Sequence, residues 1–142
     1  MTTTIETIRD DFELLDEWED RYRYVIELGE ALPAFPDDER TPANKVPGCV
    51  SQVWLTTATG SGPDPVMTFH GDSDAHIVRG LVAIMLALFS DQKASTILDA
   101  DAEATLKTLG LDEHLSRQRA NGLRSMVKRI KQDAQASLKQ TA

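Results

Sequence analysis

The feature that most constrains this chain is an uninterrupted apolar segment, residues 81–89. It is far shorter than the roughly 18–20 apolar residues needed to span a bilayer. A helix through it is apolar on nearly every face, so other elements must surround it. Asp72, Ser73 and Asp74 precede it and offer N-cap chemistry. We therefore predict a central buried helix from about residue 72 to Phe89.

Two stretches before this helix alternate between apolar and polar residues, as strands with one buried face do. Residues 51–59 place Val53 and Leu55 on one side and Trp54 and Thr56 on the other, and residues 66–71 form the second stretch. The Gly- and Pro-containing segment 60–64 between them is typical of a turn. This pattern predicts an antiparallel hairpin.

Apolar residues at helical spacing predict helices on both sides of the hairpin. A capping box at Thr3 and Glu6 opens a helix to about residue 15, and a second helix covers about 17–31, ending near Pro33. Short helices over about 94–98 and 102–109 and a last helix over about 121–138 follow. This order predicts an α+β fold with a small antiparallel sheet of about three strands and helices packed on one side.

Length and charge narrow the class of protein. A chain of 142 residues is most simply one domain, here residues 1–142. Its net charge of −8 argues against a nucleic-acid partner. The first residues lack the basic and apolar regions of a signal peptide, and one cysteine suits a reducing compartment. We expect a cytoplasmic protein without a membrane partner.

The charge is unevenly distributed. Residues 1–40 carry thirteen acidic and four basic side chains, whereas residues 113–142 carry two acidic and seven basic ones. Charged helix surfaces alone explain such a distribution. The alternative is a bipolar surface that orients a protein partner.

The single cysteine, Cys49, lies in the stretch NKVPGCVSQVW, where Gly48 lets the chain turn tightly. A thiolate is a soft nucleophile suited to attack on sulfur, although an ordinary thiol is largely protonated at neutral pH. Cysteine is also among the most buried residue types and is often inert. From these residues alone, a reactive thiol and a packing residue both remain open.

Other chemistries have weaker support. His70, His76 and His114 could act as bases beside Cys49, with Asp72 or Asp74 as orienting carboxylates, but their spacing fits no local protease signature. One cysteine and three scattered histidines predict no metal site. The motifs GxGxxG and GxxxxGK[ST] are absent, so nucleotide binding has no support.

Arginines precede the last predicted helix in the stretch HLSRQRANGL. Arg117 and Arg119 could neutralise an anion or hold a loop through forked hydrogen bonds, or could simply be solvated or cap a helix. Asn121 and Gly122 indicate a turn or a helix start.

Four segments resemble the SufE/CsdE family of sulfur-acceptor proteins and occur in the family order. They are WEDRYRYVIELGEALP (18–33), NKVPGCVSQVWL (44–55), GDSDAHIVRGL (71–81) and HLSRQRANGL (114–123). Val50 departs from the pattern, because the family commonly has glutamine there. The resemblance implies a fold like that of the IscU scaffold proteins, with the cysteine on a loop at one end of the sheet. The chain lacks the additional cysteines of those scaffolds.

The resemblance also implies a function. Cys49 would take persulfide sulfur from a PLP-dependent cysteine desulfurase of the SufS or CsdA type and stimulate that enzyme. It would then pass the sulfur to a scaffold in iron–sulfur cluster assembly or a related biosynthesis. The chain would be a sulfur-transfer partner rather than a stand-alone enzyme, as a monomer or weak homodimer. It would hold no metal or cofactor, since PLP belongs to the desulfurase.

Further site residues follow from the same resemblance. Asp74 and Arg119 would hold the loop or the partner. Asn44, Gly48, Ser51 and Gln52 would shape the cysteine loop. The alternatives are a non-reactive adaptor that regulates a desulfurase and, less favoured, a Cys-His hydrolase.

Overall fold

A computed structural model describes residues 4–49 and 51–140 of the chain. Its helices are α1 (Ile5–Leu14), α2 (Trp18–Glu30), α3 (His76–Phe89), α4 (Ala94–Asp99), α5 (Ala102–Thr108), α6 (Leu111–His114) and α7 (Arg117–Gln140), with a 3-10 turn at Asp37–Glu39. Its strands are β1 (Val53–Thr59), β2 (Val66–Ser73) and β3 (Gln92–Lys93). The predicted α+β fold is confirmed.

The described strands form one antiparallel sheet in the order β1-β2-β3. Val53 lies opposite Ser73, and Leu55 lies opposite Gly71. Alternation puts Val53, Leu55, Met67 and Phe69 on the inner face, where all four are buried. The predicted hairpin is therefore confirmed, and its alternating pattern arises because one face packs against the helices.

The central helix is also confirmed, as α3. It is buried on most sides, and Leu81, Val82, Ile84 and Met85 are almost fully excluded from water. An added Cβ at Gly71 would lie 2.7 Å from Val82 Cγ1, so the helix rests directly on the inner face of β2. Helix α3 therefore packs against both β2 and α2, and α7 reaches the sheet separately, where Thr57 of β1 donates to Asp133.

The predicted start of α3 is wrong. Asp72 and Ser73 belong to β2, and Ala75 occupies the N-cap position without a side-chain cap. The carboxylates at this junction have other partners. Asp72 is paired with arginines, and Asp74 accepts a hydrogen bond from the backbone N–H of Gln52.

Helices α2 and α3 cross at two glycines. A Cβ added to Gly80 would lie 2.0 Å from the Val25 carbonyl oxygen, and one added to Gly29 would lie 2.6 Å from the Gly80 nitrogen. Only glycine permits backbones to approach this closely. The crossing fixes the position of α2 on α3. It thereby also fixes the position of Tyr22, which lies earlier in α2.

The ends of two further helices differ from the predictions. Thr4 caps α1 by accepting a hydrogen bond from the Thr7 N–H, whereas Thr3 of the predicted capping box lies outside the described residues. Helix α7 begins at Arg117 rather than near 121, because the Ser116 hydroxyl accepts a hydrogen bond from the Arg119 N–H. Gly122 is therefore inside the helix and not at a turn. Among the described helices, none is both long and apolar enough to cross a bilayer.

Candidate functional site

The cysteine lies on the tip of a second, smaller hairpin. The Val46 N–H donates to the Val53 carbonyl at 2.8 Å, and the Leu55 N–H donates to the Asn44 carbonyl at 2.9 Å. Lys45 forms an antiparallel bridge with Trp54. Residues 44–46 thus pair with the start of β1, and Cys49 lies in the loop between the two paired segments.

The far side of this loop is bonded to the junction between β2 and α3. The Gln52 N–H donates to Asp74 Oδ1 at 3.0 Å, and the Gln52 carbonyl accepts from the Ser73 hydroxyl at 2.7 Å. The Asp74 N–H also donates to the Gln52 carbonyl, at 3.3 Å. The loop is therefore anchored on both sides of Cys49.

Gly48 turns the chain immediately before the cysteine. Its φ of +86° lies in the left-handed region that favours glycine, and a Cβ there would lie 2.6 Å from the Ser125 hydroxyl. The backbone at Gly48 consequently packs directly against α7. This contact turns the Cys49 side chain toward the same helix.

Cys49 is half-buried, and its sulfur lies against the backbone of α7. The thiol donates a hydrogen bond to the Gly122 carbonyl at a sulfur–oxygen distance of 3.6 Å. Burial raises the pKa of the Cys49 thiol, because water no longer fully solvates the thiolate. At neutral pH the resting site holds a protonated thiol.

A pocket of about 360 Å³ adjoins the sulfur. The described residues that line it come from the loop, from α3 and from the start of α7; they are Cys49, Ser51, Val78, Leu81, Ser116, Gln118, Arg119, Gly122 and Met126. Arg119 is the charged side chain of this set. The pocket therefore combines an apolar floor with one cation beside a thiol.

Arg119 is fixed at both ends. Its backbone N–H donates to Ser116 Oγ at 3.2 Å in the first turn of α7, and its Nη1 donates to the Tyr22 hydroxyl at 3.3 Å. Tyr22 lies on α2, so this bond joins the two helices across the edge of the pocket. Nearby, the Trp18 ring of α2 stacks on the His114 ring of α6 at a centroid distance of 4.2 Å, so α2 also contacts the segment just before α7.

An ion cluster lies beneath the loop. Buried Asp72 pairs with Arg40 Nη1 at 2.7 Å and lies 2.9 Å from Arg79 Nε, although that N–H is not aligned for a hydrogen bond. The Arg40 guanidinium also lies 5.1 Å from the centre of the Trp54 ring. These contacts hold the Pro-containing segment 34–47 over the outer face of the sheet, and with it the stem of the cysteine hairpin.

The predicted site residues fall into three groups. Cys49, Ser51 and Arg119 line the pocket, whereas Gly48, Gln52 and Asp74 hold the loop. Asn44 lies in the hairpin stem and donates from its side-chain amide to the Glu39 carbonyl at 2.8 Å. Val50 lies outside the described residues. Their functional roles stay predictions.

Sequence reasoning missed several of the residues that shape the pocket. Gly122 and Met126 line the pocket from the first turns of α7. The helix was predicted to start near residue 121, and this prediction gave no indication that the two residues lie near Cys49. Ser116, three residues before Arg119, was the signal for the earlier start, because serine is a preferred N-cap. Tyr22 belongs to the predicted second helix, and nothing in its spacing indicates a bond to Arg119.

Histidine does not accompany Cys49 among the described lining residues of the pocket. His70 and His76 are exposed on β2 and at the start of α3, and His114 stacks on Trp18. The pocket thus provides no imidazole base for a Cys-His hydrolase. Within residues 4–49 and 51–140, no three His, Cys, Asp or Glu side chains are grouped so that they could hold a metal ion.

Comparisons with known proteins identify the family of the chain. The family model described as "SufE: Fe-S metabolism associated domain" matches residues 6–134. An uncharacterized SufE-like protein from Rhizobium meliloti is 62% identical over 137 residues, which cover 96% of this chain and 98% of the relative. One from Rhizobium etli is 61% identical over 132 residues, covering 92% and 89%.

A solved structure shares the fold. The solution structure of a hypothetical protein from Thermus thermophilus superimposes with a TM-score of 0.73 and covers 95% of this chain and 96% of its own. Its sequence identity is 14%, so the likeness concerns the fold alone.

Proposed function

Because the chain belongs to the SufE family of proteins associated with Fe–S metabolism, we propose that it is a sulfur carrier whose acceptor is Cys49. The sulfur comes from a PLP-dependent cysteine desulfurase, which the carrier stimulates, and goes to an acceptor in iron–sulfur cluster assembly or a related biosynthesis. Residues 1–142 act as one domain and hold no cofactor of their own. A reducing cytoplasm suits this chemistry, since it keeps a lone thiol free.

The transfer is a thiol exchange without net oxidation. The Cys49 thiolate attacks the terminal sulfur of the desulfurase persulfide, and a new sulfur–sulfur bond forms as the old one breaks. The desulfurase cysteine leaves as a thiolate and takes up the proton that Cys49 releases. One persulfide and one thiol enter, and one persulfide and one thiol leave.

One observation carries the proposal: the chain's single thiol lies on an anchored hairpin tip next to a pocket with space beside the sulfur. A packing cysteine would be enclosed in the core, whereas Cys49 is half-buried at the end of a surface loop. The pocket offers a place for an added sulfur atom. Gln52, Ser73 and Asp74 keep the loop base in position while the tip exchanges sulfur.

The test is incubation of the full chain with an active cysteine desulfurase and cysteine, followed by intact-mass measurement before and after reductant. We expect Cys49 to gain the mass of one sulfur atom and to lose it on reduction. Cys49→Ser should gain none and should keep the native fold by circular dichroism. Wild-type protein that stays unmodified beside an active desulfurase would contradict the proposal.

The non-reactive adaptor is the second candidate, and the protonated, half-buried resting thiol favours it. It predicts that Cys49→Ser stimulates the desulfurase as fully as the wild type does. The carrier predicts that stimulation falls to the level without added protein. Desulfurase turnover measured with both forms at equal concentration separates the two candidates.

A further inference from the structure

The pocket offers a separate partner for each of two charge states of Cys49, the neutral thiol and the persulfide anion. The Gly122 carbonyl accepts a hydrogen bond from the neutral thiol, and it would repel an anion. A persulfide is a stronger acid than its parent thiol, because its S–H bond is weaker and the neighbouring sulfur withdraws electrons. Loading Cys49 with sulfur therefore replaces a neutral group by an anion in a partly desolvated pocket, and that anion needs a cation.

Arg119 is the described charged side chain that lines this pocket. Its guanidinium is permanently charged and presents several N–H donors. The Tyr22 hydroxyl accepts from one of them, at Nη1, and so restricts the rotation of a long side chain at the pocket edge. Among the described residues, Tyr22 is the side-chain partner that the guanidinium has, and its other N–H donors can bind an anion.

We propose that Arg119, oriented by Tyr22, is the counter-charge of the persulfide anion while Cys49 carries sulfur. This inference rests on the proposed function and extends it, because it assigns separate partners to the unloaded and loaded states. Gly122 holds the thiol, and Arg119 holds the persulfide. Tyr22 is a positioning residue that acts through Arg119.

The sulfur–sulfur bond places the charged sulfur of the persulfide at a different position from the sulfur of the thiol. The terminal sulfur lies about 2 Å beyond the Cys49 sulfur, and the pocket that Cys49 and Arg119 both line has room for it. Burial is the cause of the raised pKa of the unloaded thiol, with no contribution from a neighbouring charge. Arg119 should therefore act on the persulfide and much less on the thiol.

The persulfide can be prepared without a desulfurase. Cys49 first exchanges with 5,5′-dithiobis(2-nitrobenzoic acid), so that one 2-nitro-5-thiobenzoate leaves and the other stays on Cys49 as a mixed disulfide; its low thiol pKa makes it the better leaving group in the next step. Hydrosulfide then attacks the Cys49 sulfur, the aryl thiolate leaves, and Cys49 persulfide forms. Excess hydrosulfide is removed by gel filtration, and the mass of one added sulfur atom confirms loading.

The readout is the rate of alkylation by iodoacetamide as a function of pH, for the thiol and for the persulfide of each variant. Arg119→Gln should raise the persulfide pKa by about 1, so that alkylation well below that pKa slows about tenfold. Tyr22→Phe should produce a smaller change in the same direction, and Arg119→Lys should retain part of the effect. The thiol profile should stay the same in all three.

The chain supplies matched controls for both residues. Arg117→Gln removes a neighbouring exposed arginine that is outside the pocket lining. Tyr24→Phe removes a hydroxyl on the same helix that donates to Asp11 instead. In both controls, the alkylation rate of the persulfide should depend on pH as it does in the wild type.

Two outcomes would overturn the inference. One is an unchanged persulfide pKa in Arg119→Gln and Tyr22→Phe. The other is an equal displacement of the thiol and persulfide profiles, which would indicate a general loss of positive charge. Because loading is chemical, either result is distinct from a failure of the desulfurase to deliver sulfur.

Discussion

Cys49 is kept protonated by partial burial and by a carbonyl acceptor, Gly122. Neither contact activates the thiol. The proposed carrier role therefore requires movement of the loop or arrival of a partner to activate the thiol, since an exposed thiol recovers its ordinary pKa. The raised pKa lowers the thiolate fraction of the resting thiol, and a smaller thiolate fraction slows both alkylation and oxidation.

We expect alkylation of native Cys49 to show a higher apparent pKa than alkylation of the same chain in concentrated urea. The thiolate is the reactive form, and a raised pKa leaves less of it at any given pH. The protonated thiol also stabilises the folded state fully below the unfolded pKa, and this contribution is lost as pH rises through the folded pKa. Iodoacetamide rates measured against pH in both states would check this, and a native profile at or below the unfolded one would contradict it.

Gly48→Ala should destabilise the fold more than Gly62→Ala does. Both glycines have positive φ, at +86° and +98°, which costs an L-residue roughly 1–2 kcal/mol. Only the first would also place a Cβ 2.6 Å from Ser125, whereas nothing lies within 4 Å at Gly62. Urea unfolding of the two variants measures the difference, and equal losses would show that the Ser125 contact relaxes freely.

At the scale of elements, the crossing of α2 and α3 depends on backbone contact rather than on side-chain packing. Gly80→Ala should lower the free energy of unfolding by at least the roughly 1–3 kcal/mol typical of overpacking, because its Cβ meets the Val25 carbonyl. Gly122→Ala, also within a helix, adds a Cβ 3.7 Å from the Cys49 sulfur, an ordinary contact. It should gain about 0.5–1 kcal/mol from helix propensity.

Thermal or urea unfolding of both helical glycine variants provides the measurement. We expect the free energy of unfolding to fall in Gly80→Ala and to rise in Gly122→Ala, although helix propensity favours alanine at both positions. A stabilised Gly80→Ala protein would mean that α2 can move away from α3 at little cost.

Periodicity predicted the order of the elements, because α3 and the hairpin have patterns that only burial explains. The element ends were less predictable, since they depend on distant partners. Asp72 looked like a helix cap, yet the pairing of β2 with β1 and the arginines Arg40 and Arg79 determine its place. The two-residue strand β3 and the single-turn helix α6 are too short to show any period.

The candidate site likewise contains some residues that could be identified from the sequence and others that could not. Cys49 and Gly48 could be identified from their local sequence, because a glycine turn before a lone thiol is visible in the chain. The association of Cys49 with Arg119 came only from the resemblance, and their common pocket is formed by the packing of α7 against the loop. Tyr22 could not be found from the sequence, since its bond to Arg119 joins residues 97 positions apart.

Over the whole molecule, the cysteine hairpin lies beside the basic helix of an otherwise acidic chain. Residues 113–142 hold seven basic and two acidic side chains, against a net charge of −8 for the protein. Helix α7 contacts the hairpin through Ser125 at Gly48 and through Arg129, which donates to the Ala43 carbonyl. We therefore expect the positive charge of α7 to contribute to the docking of an acidic partner beside Cys49.

Binding of a cysteine desulfurase should weaken as salt concentration rises, and Lys128→Glu should weaken it further at low salt. Lys128 is exposed one turn beyond Ser125, close to the hairpin. Lys139→Glu makes the same charge change about 16 Å farther along the helix and should have a smaller effect. Titrations at several salt concentrations provide the measurement, and equal effects of the two variants would contradict a local docking contribution.

The paired stem of the cysteine hairpin also limits how far sulfur can be carried. Six residues of the sequence, 47–52, separate the bonded residues Val46 and Val53. Fully extended backbone covers at most about 3.5 Å per residue, so the tip can reach only about 10 Å from the stem. For the proposed sulfur carrier, the backbone at Cys49 therefore stays within that distance of the stem, and both the donor and the acceptor of sulfur must bring their reacting atoms to it.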